Sequence, residues 1–121
     1  MTCLAPKTAY QTGLAAEAMA ETLLRVKGYG ILARRFKTPQ GEIDIVAKRG
    51  GVLVFVEVKK RKTTAEAGES IDARNQKRVV TAATLYLQAH PQYADMDMRF
   101  DAIVFARSGL PQHIENAWDA A

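Results

Sequence analysis

Two short apolar segments, joined by a basic turn that contains two glycines, constrain this chain more than any other feature. Residues 41–47 read GEIDIVA and residues 53–59 read LVFVEVK, with Lys48, Arg49, Gly50 and Gly51 between them. Apolar and β-branched residues at this density favour strands, and glycine supplies the positive φ that a tight hairpin turn needs. The sequence therefore predicts an antiparallel β-hairpin over residues 41–59.

Charged side chains stand at the open ends of these predicted strands. Because alternate residues of a strand share a face, Glu42 and Asp44 project together, and so do Glu57 and Lys59. Carboxylates are the oxygen ligands that Mg²⁺ or Mn²⁺ takes, and a lysine beside them can stabilise developing negative charge. The alternative interpretation is that these charged residues are solvated at the strand ends and that Glu57 and Lys59 form a surface ion pair that contributes little to stability. The spacing alone leaves both interpretations open.

An acid near the start of one strand, followed by Glu-x-Lys at the end of the next, resembles the active-site pattern of the PD-(D/E)XK nuclease superfamily. More narrowly, residues 41–45 (GEIDI), residues 55–59 (FVEVK) with Arg61, and residues 99–101 (RFD) resemble the YraN-like family of small bacterial proteins. That family is assigned a restriction-endonuclease-like fold similar to archaeal Holliday junction resolvases. The resemblance extends from Gly13 to Trp118.

The resemblance implies a Mg²⁺- or Mn²⁺-dependent endonuclease that acts on branched or single-stranded DNA. Asp44 and Glu57 would hold one or two ions, with Glu17 of the first helix and Glu42 completing the ligands. Lys59 would act at the reacting phosphate, which makes the catalytic set Asp44, Glu57, Lys59 and Glu17. Asp101 also matches the family, but we interpret it as a structural hydrogen-bonding residue.

The chain departs from the family pattern at two positions. Arg35 stands where the family usually has asparagine, and Asn75 stands where it commonly has lysine. These departures favour a second hypothesis, a nucleic-acid-binding module that keeps the nuclease fold without cleaving. An activity like that of a resolvase would require two active sites, and hence a homodimer.

The remaining pattern predicts an α/β protein with a mixed central sheet, flanking helices and the element order α-β-β-β-α-β. A helix over residues 8–27 has a predicted core face of Ala16, Met19, Ala20, Leu23 and Leu24, while Glu21 points towards solvent. A strand follows over residues 31–37. A second helix, capped by Asp72, ends near Ala89, and a strand covers residues 98–106. Residues 113–118 form either a short strand or a helical turn.

Cations cluster after the hairpin and in the first turns of the second helix. For the cations after the hairpin, a solvated charge run and contact with phosphate are equally open interpretations. In the first turns of the helix, where the helix dipole disfavours cations, their presence favours an external anion. We predict a loop over residues 63–71 that acts as a substrate clamp. The predicted DNA-contacting residues are Lys60, Arg61, Lys62, Arg74, Gln76, Lys77 and Arg78.

Length and composition set the outer limits. At 121 residues with a net charge of +4, the chain is expected to form one domain over residues 1–121, with a poorly ordered leader at 1–7. No apolar run approaches the roughly 20 residues of a membrane helix, and no signal-peptide pattern is present, so a cytoplasmic location is predicted. Cys3, His90 and His113 lack the spacing of zinc ligands.

Overall fold

The structure is a computed structural model that describes residues 9–61, 72–106 and 111–120. Within these ranges the helices are α1 (Ala9–Val26) and α2 (Ala73–Ala89), with a short 3-10 turn at Pro91–Tyr93. The strands are β1 (Gly30–Thr38), β2 (Gly41–Arg49), β3 (Val52–Arg61), β4 (Asp97–Ala106) and β5 (Gln112–Trp118). The predicted leader at 1–7, the predicted clamp loop at 63–71 and Lys62 lie outside the described residues.

The five strands form one mixed sheet in the order β1-β2-β3-β4-β5. β1, β2 and β3 are antiparallel neighbours, β4 runs parallel to β3, and β5 is antiparallel to β4. The parallel pair follows from α2, since a connection that contains a helix can return the chain to the same end of the sheet. The predicted order α-β-β-β-α-β is confirmed, and the ambiguous segment after residue 112 is a fifth strand.

The two helices cover opposite faces of the sheet. α2 packs Val79, Ala82, Ala83 and Tyr86 against one face, where Leu53, Phe55 and Phe100 lie buried. α1 packs a stripe of Ala16, Ala20 and Leu24 against the other face, where the buried residues include Ile45, Val54, Val56 and Ile103. Apolar burial on both faces explains why β3, the central strand, is almost continuously hydrophobic.

Two details of α1 differ from the prediction. Met19, expected in the core, is 53% exposed, because the sheet contacts only the narrow stripe spaced four residues apart. Glu21, expected to point towards solvent, instead folds against β1 and forms ion pairs with Arg34 and Arg25. Those ion pairs hold the pKa of Glu21 at about 2, the hydrogen bond from Arg34 being the main cause.

The hairpin turn has the predicted chemistry. β2 ends opposite the first residue of β3, so that Gly50 and Gly51 form a two-residue connection, and Gly50 has a φ of 59°. Asp72 caps α2 as expected, because its side chain accepts a hydrogen bond from the Asn75 backbone N–H. None of the helices described here has the length and apolarity needed to cross a membrane.

Candidate active site

The predicted acids and lysine meet in one open cleft at the end of the β2–β3 hairpin opposite its turn. Its lining residues come from both helices and both strands: Glu17, Glu42, Asp44, Glu57, Val58, Lys59, Asn75 and Arg78. The cleft has a volume of about 310 Å³. The five residues predicted as catalytic or metal-binding therefore lie around a single cavity.

Asp44 lies where the pairing of β2 with β3 stops. The paired residues of these strands run from Arg49 opposite Val52 to Ile45 opposite Val56. Beyond that point a side chain takes the place of a backbone hydrogen-bond acceptor, because Asp44 Oδ2 accepts a hydrogen bond from the Val58 backbone N–H at 2.8 Å. The Asp44 carboxylate is thereby held in place between the two strands, with only 8% of the residue exposed.

Glu57 is the second buried carboxylate, 6% exposed, and its orientation is fixed from two sides. Asn75 of α2 donates its Nδ2 hydrogen to Glu57 Oε2 at 3.0 Å, and the Lys59 ammonium lies 3.1 Å from the same oxygen. The sequence indicated Asn75 only as a departure from the lysine of the family pattern, and Asn75 was not predicted as a site residue. Its contact crosses from α2 to the sheet, and no local pattern in the sequence indicates it.

The negative charge of Glu57 makes the neighbouring Asp44 carboxyl group harder to ionise. Burial raises the pKa of Asp44 to about 8, helped by the negative charge of Glu57 and a hydrogen bond between the two carboxyl groups. The Val58 N–H opposes this effect, and the charge of Glu17 adds to it. The Lys59 ammonium beside Glu57 offsets only part of this cost, so a further cation would stabilise the pair.

We predict that Asp44→Asn stabilises the metal-free protein. Because the folded pKa of Asp44 lies above the unfolded value of 3.8, folding binds a proton, and stability falls as pH rises from about 4 to about 8. Asparagine removes this penalty and keeps an oxygen for the Val58 N–H. In EDTA at pH 8 the variant should gain about 1–3 kcal/mol of unfolding free energy. Thermal or urea unfolding at pH 8 and pH 4 measures this, and a gain that does not shrink at pH 4 contradicts the cause assigned.

The donor set fits a hard divalent cation that is bound by few protein ligands. The N–H and ammonium donors of the described residues reach Asp44 Oδ2 and Glu57 Oε2, so a metal ion that displaces the hydrogen bond between the two carboxyl groups would bind Oδ1 and Oε1. Among residues 9–61, 72–106 and 111–120, no group of three or more His, Cys, Asp or Glu side chains is arranged to hold a metal ion. Mg²⁺ commonly takes one or two carboxylates and completes its shell with water and phosphate oxygens.

Glu17 and Glu42, the other predicted ligands, lie at the margin of the cleft. Glu17 Oε1 accepts from Arg35 Nε at 2.9 Å, and Glu42 is exposed. On the α2 side the cleft closes tightly because residue 41 is glycine. A Cβ at Gly41 would lie 2.3 Å from the Arg78 carbonyl oxygen. The missing side chain lets β2 approach α2, which brings Asn75 and Arg78 to the acids.

The predicted DNA-contacting residues within the described ranges lie around more than one cavity, and their contact with DNA stays a prediction. Arg78 lines the acidic cleft, whereas Gln76 and Lys77 line a separate groove with Val80 and Thr81 of α2. Arg74 and Lys60 are exposed, and Lys60 follows Lys59 on the strand and so projects to the other face of the sheet. The side chain of Arg61 and the whole of Lys62 lie outside the described residues.

Asp101 belongs to a second polar cluster that is separate from the cleft. It is fully buried and accepts hydrogen bonds from Arg99, His113 and the Asn116 backbone N–H. Burial raises the pKa of Asp101, but these donors outweigh burial and lower it overall. Lys27 Nζ lies 2.8 Å from the other His113 nitrogen. Since an ammonium can only donate, that nitrogen accepts and Nε2 donates to Asp101. The structural hydrogen bonds expected of Asp101 are present.

Comparison with known protein families identifies close relatives of the sequence. Residues 16–105 match the family described as "Uncharacterised protein family UPF0102". A UPF0102 protein of Rhodopseudomonas palustris strain BisA53 is 50% identical over 113 residues, covering 93% of this chain and 87% of that protein. A second UPF0102 protein, from Bradyrhizobium sp. strain ORS 278, is 49% identical over 113 residues, which cover 93% of this chain and 80% of that protein. These matches confirm the family resemblance.

Among solved structures, the chain is similar to Hjc of Archaeoglobus fulgidus, a Holliday junction resolvase from an archaeal hyperthermophile. The TM-score is 0.54 and the sequence identity is 17%, with 86% of this chain and 72% of that chain covered. At this level of identity the similarity bears on the fold. Together with the element order, it confirms the predicted restriction-endonuclease-like α/β fold.

Proposed function

We propose that this chain, which belongs to the uncharacterised protein family UPF0102, is a divalent-metal-dependent endonuclease that acts on DNA, with branched or single-stranded DNA as its substrate. The observation that carries the proposal is the meeting of Asp44, Glu57 and Lys59 in one cleft, with Asp44 and Glu57 buried and like-charged. The similarity to a Holliday junction resolvase supports it at the level of the fold.

Asp44 and Glu57 would hold Mg²⁺ or Mn²⁺ through the oxygens that face away from Val58 and Asn75. When bound, the ion lowers the pKa of a water molecule and offsets negative charge on the phosphate. Glu42 and Glu17 line the same cleft and would supply further oxygens to the shell around the ion. Asn75 would keep the Glu57 carboxylate from rotating away from Asp44.

Lys59 would stabilise negative charge on the phosphate. The Lys59 side chain is 27% exposed and its ammonium lies beside Glu57, so the ammonium can contact a group bound in the cleft without a change in the backbone. A positive charge that is already in position stabilises the transition state more strongly in a partly dehydrated cleft than in water. Arg78 of α2, which lines the same cleft, would contact the next phosphates along the DNA.

DNA affinity should fall steeply with salt, and Arg78 should matter more than Lys77. Each phosphate contact contributes about −0.9 to the slope of log affinity against log salt concentration. Arg78→Glu should weaken binding about 10-fold at physiological salt, since it repels phosphate at the cleft, while the matched change Lys77→Glu in the separate groove should weaken it less than about 3-fold. Fluorescence anisotropy across a salt series measures both. If the affinity does not depend on salt, or if Lys77→Glu has the larger effect, the DNA binds to a surface other than the acidic cleft.

A nucleic-acid-binding module without turnover is the second candidate. It is favoured because no group of three or more His, Cys, Asp or Glu side chains among the described residues is arranged to hold a metal ion, and because Asn75, a neutral side chain, hydrogen-bonds Glu57 in the cleft. It predicts binding to DNA that is insensitive to metal.

Cleavage of a labelled panel of four-way junction, flap, single-stranded and duplex DNA decides between the two functions. The nuclease proposal predicts products in Mg²⁺ or Mn²⁺ and none in EDTA. Bound but intact DNA across the whole panel would establish the binding module instead. Paired cuts in a four-way junction would require two copies of the chain, and sedimentation of the junction complex measures their number.

A further inference from the structure

Arg35 has a backbone conformation that its residue type disfavours. It lies within β1 at a φ of 53°, in the left-handed region. Outside glycine, this region is tolerated mainly by asparagine and aspartate, and a residue such as arginine is held there at a cost of order 1 kcal/mol. Such conformations persist when a contact of the side chain or the surrounding structure compensates for them.

The compensating contact is an ion pair with a residue of the candidate active site. Arg35 Nε donates to Glu17 Oε1 at 2.9 Å, and the two side chains are only 31% and 23% exposed. Glu17 lines the acidic cleft together with Asp44 and Glu57. Arg35 and Asp44 also line a neighbouring cavity on the α1 side. The guanidinium therefore balances part of the charge of the acidic cleft from its outer side.

The neighbouring residue provides a contrast. Arg34 is 61% exposed and pairs with Glu21, one helical turn further along α1. Glu21 does not line the acidic cleft. Two consecutive arginines thus form ion pairs with consecutive turns of α1, and only the pair formed by Arg35 involves a predicted metal ligand.

We propose that Arg35 is a resident counter-ion of the acidic cleft that competes with the divalent cation for Glu17 and thereby sets the metal affinity of the site. The inference rests on the proposed function, because it requires a metal to bind beside Asp44 and Glu57. It goes beyond that function, since it assigns a role to a residue outside the catalytic set. Without Arg35, Glu17 is free to turn its carboxylate fully into the cleft.

Calorimetric titration of Mn²⁺ into the DNA-free protein tests the inference. Arg35→Asn removes the cation and leaves a residue that adopts the left-handed backbone readily. It should bind Mn²⁺ about 3- to 10-fold more tightly than the native chain, which corresponds to the removal of a competing, partly exposed ion pair and of one positive charge. Arg34→Asn, the matched control, should change the affinity less than about 2-fold. Arg35→Lys, which keeps the charge, should remain close to the native affinity.

The double variant Glu17→Gln, Arg35→Asn distinguishes competition from a general change in charge. If Arg35 acts through Glu17, the gain from Arg35→Asn disappears when Glu17 is already neutral. Weaker or unchanged Mn²⁺ binding in Arg35→Asn overturns the inference, and so does a gain that persists in the double variant. Binding of Mn²⁺ by the native chain is read first: its absence overturns the metal site itself, whereas its presence with no effect of Arg35 overturns the inference alone. Circular dichroism confirms that each variant is folded.

Discussion

Lys59→Ala should lower the cleavage rate by about 10²–10³-fold while the protein stays folded and still binds DNA and Mn²⁺. A loss of this size is usual when one preorganised charge that stabilises the transition state is removed. The reason is the position of the ammonium, 3.1 Å from Glu57 Oε2 and partly exposed in the cleft. A group that acts on the charge developing in the transition state contributes to turnover much more than to binding. Single-turnover cleavage with saturating protein measures the chemical step directly.

The competing interpretation of Lys59 is a surface cation paired with Glu57. Its loss would then cost under about 1 kcal/mol of stability and leave cleavage unchanged. Lys48→Ala provides the control, because Lys48 is an exposed lysine of the same hairpin at the opposite end of β2. Equal rates for the native chain, Lys59→Ala and Lys48→Ala would contradict the mechanism proposed here.

Glu57→Gln should lower cleavage by about 10³-fold or more, a loss of about 4 kcal/mol of transition-state stabilisation. Glutamine has the same size and still accepts the hydrogen bond from Asn75, so the cleft should keep its shape while one of its two buried charges is removed. DNA affinity should be unchanged or slightly higher, since a negative charge facing phosphate is lost. Glu115→Gln, at an exposed position of β5, is the control and should cleave at the native rate. A Glu57→Gln variant that cleaves as fast as the control excludes Glu57 from the chemistry.

The features predicted well from the sequence are those set by local pattern. Strand alternation and the glycine pair specify the hairpin, and alternation also places Glu57 and Lys59 on one face, where they form an ion pair. Asp72 was predictable as a helix cap because capping involves residues only three apart. The element order then followed from the lengths of the apolar segments.

The contacts that complete the cleft could not be predicted in this way. Asn75 bonds Glu57 and Arg35 bonds Glu17 across 18 residues of sequence in each case, and both contacts exist only because a helix docks on the sheet. The same limit explains Met19. Helical periodicity defines an apolar face wider than the stripe that the sheet covers, so a residue at its edge remains exposed.

Calorimetric titration of Mg²⁺ or Mn²⁺ into the native chain and into Asp44→Asn tests most directly whether this cleft is a metal site. The comparison is sharp because Asp44→Asn is expected to be more stable than the native protein, so that a loss of binding cannot be attributed to unfolding. We expect the native chain to bind the ion and Asp44→Asn to show no binding at the same concentrations. Equal binding by both, or none by the native chain at millimolar Mn²⁺, would contradict the account.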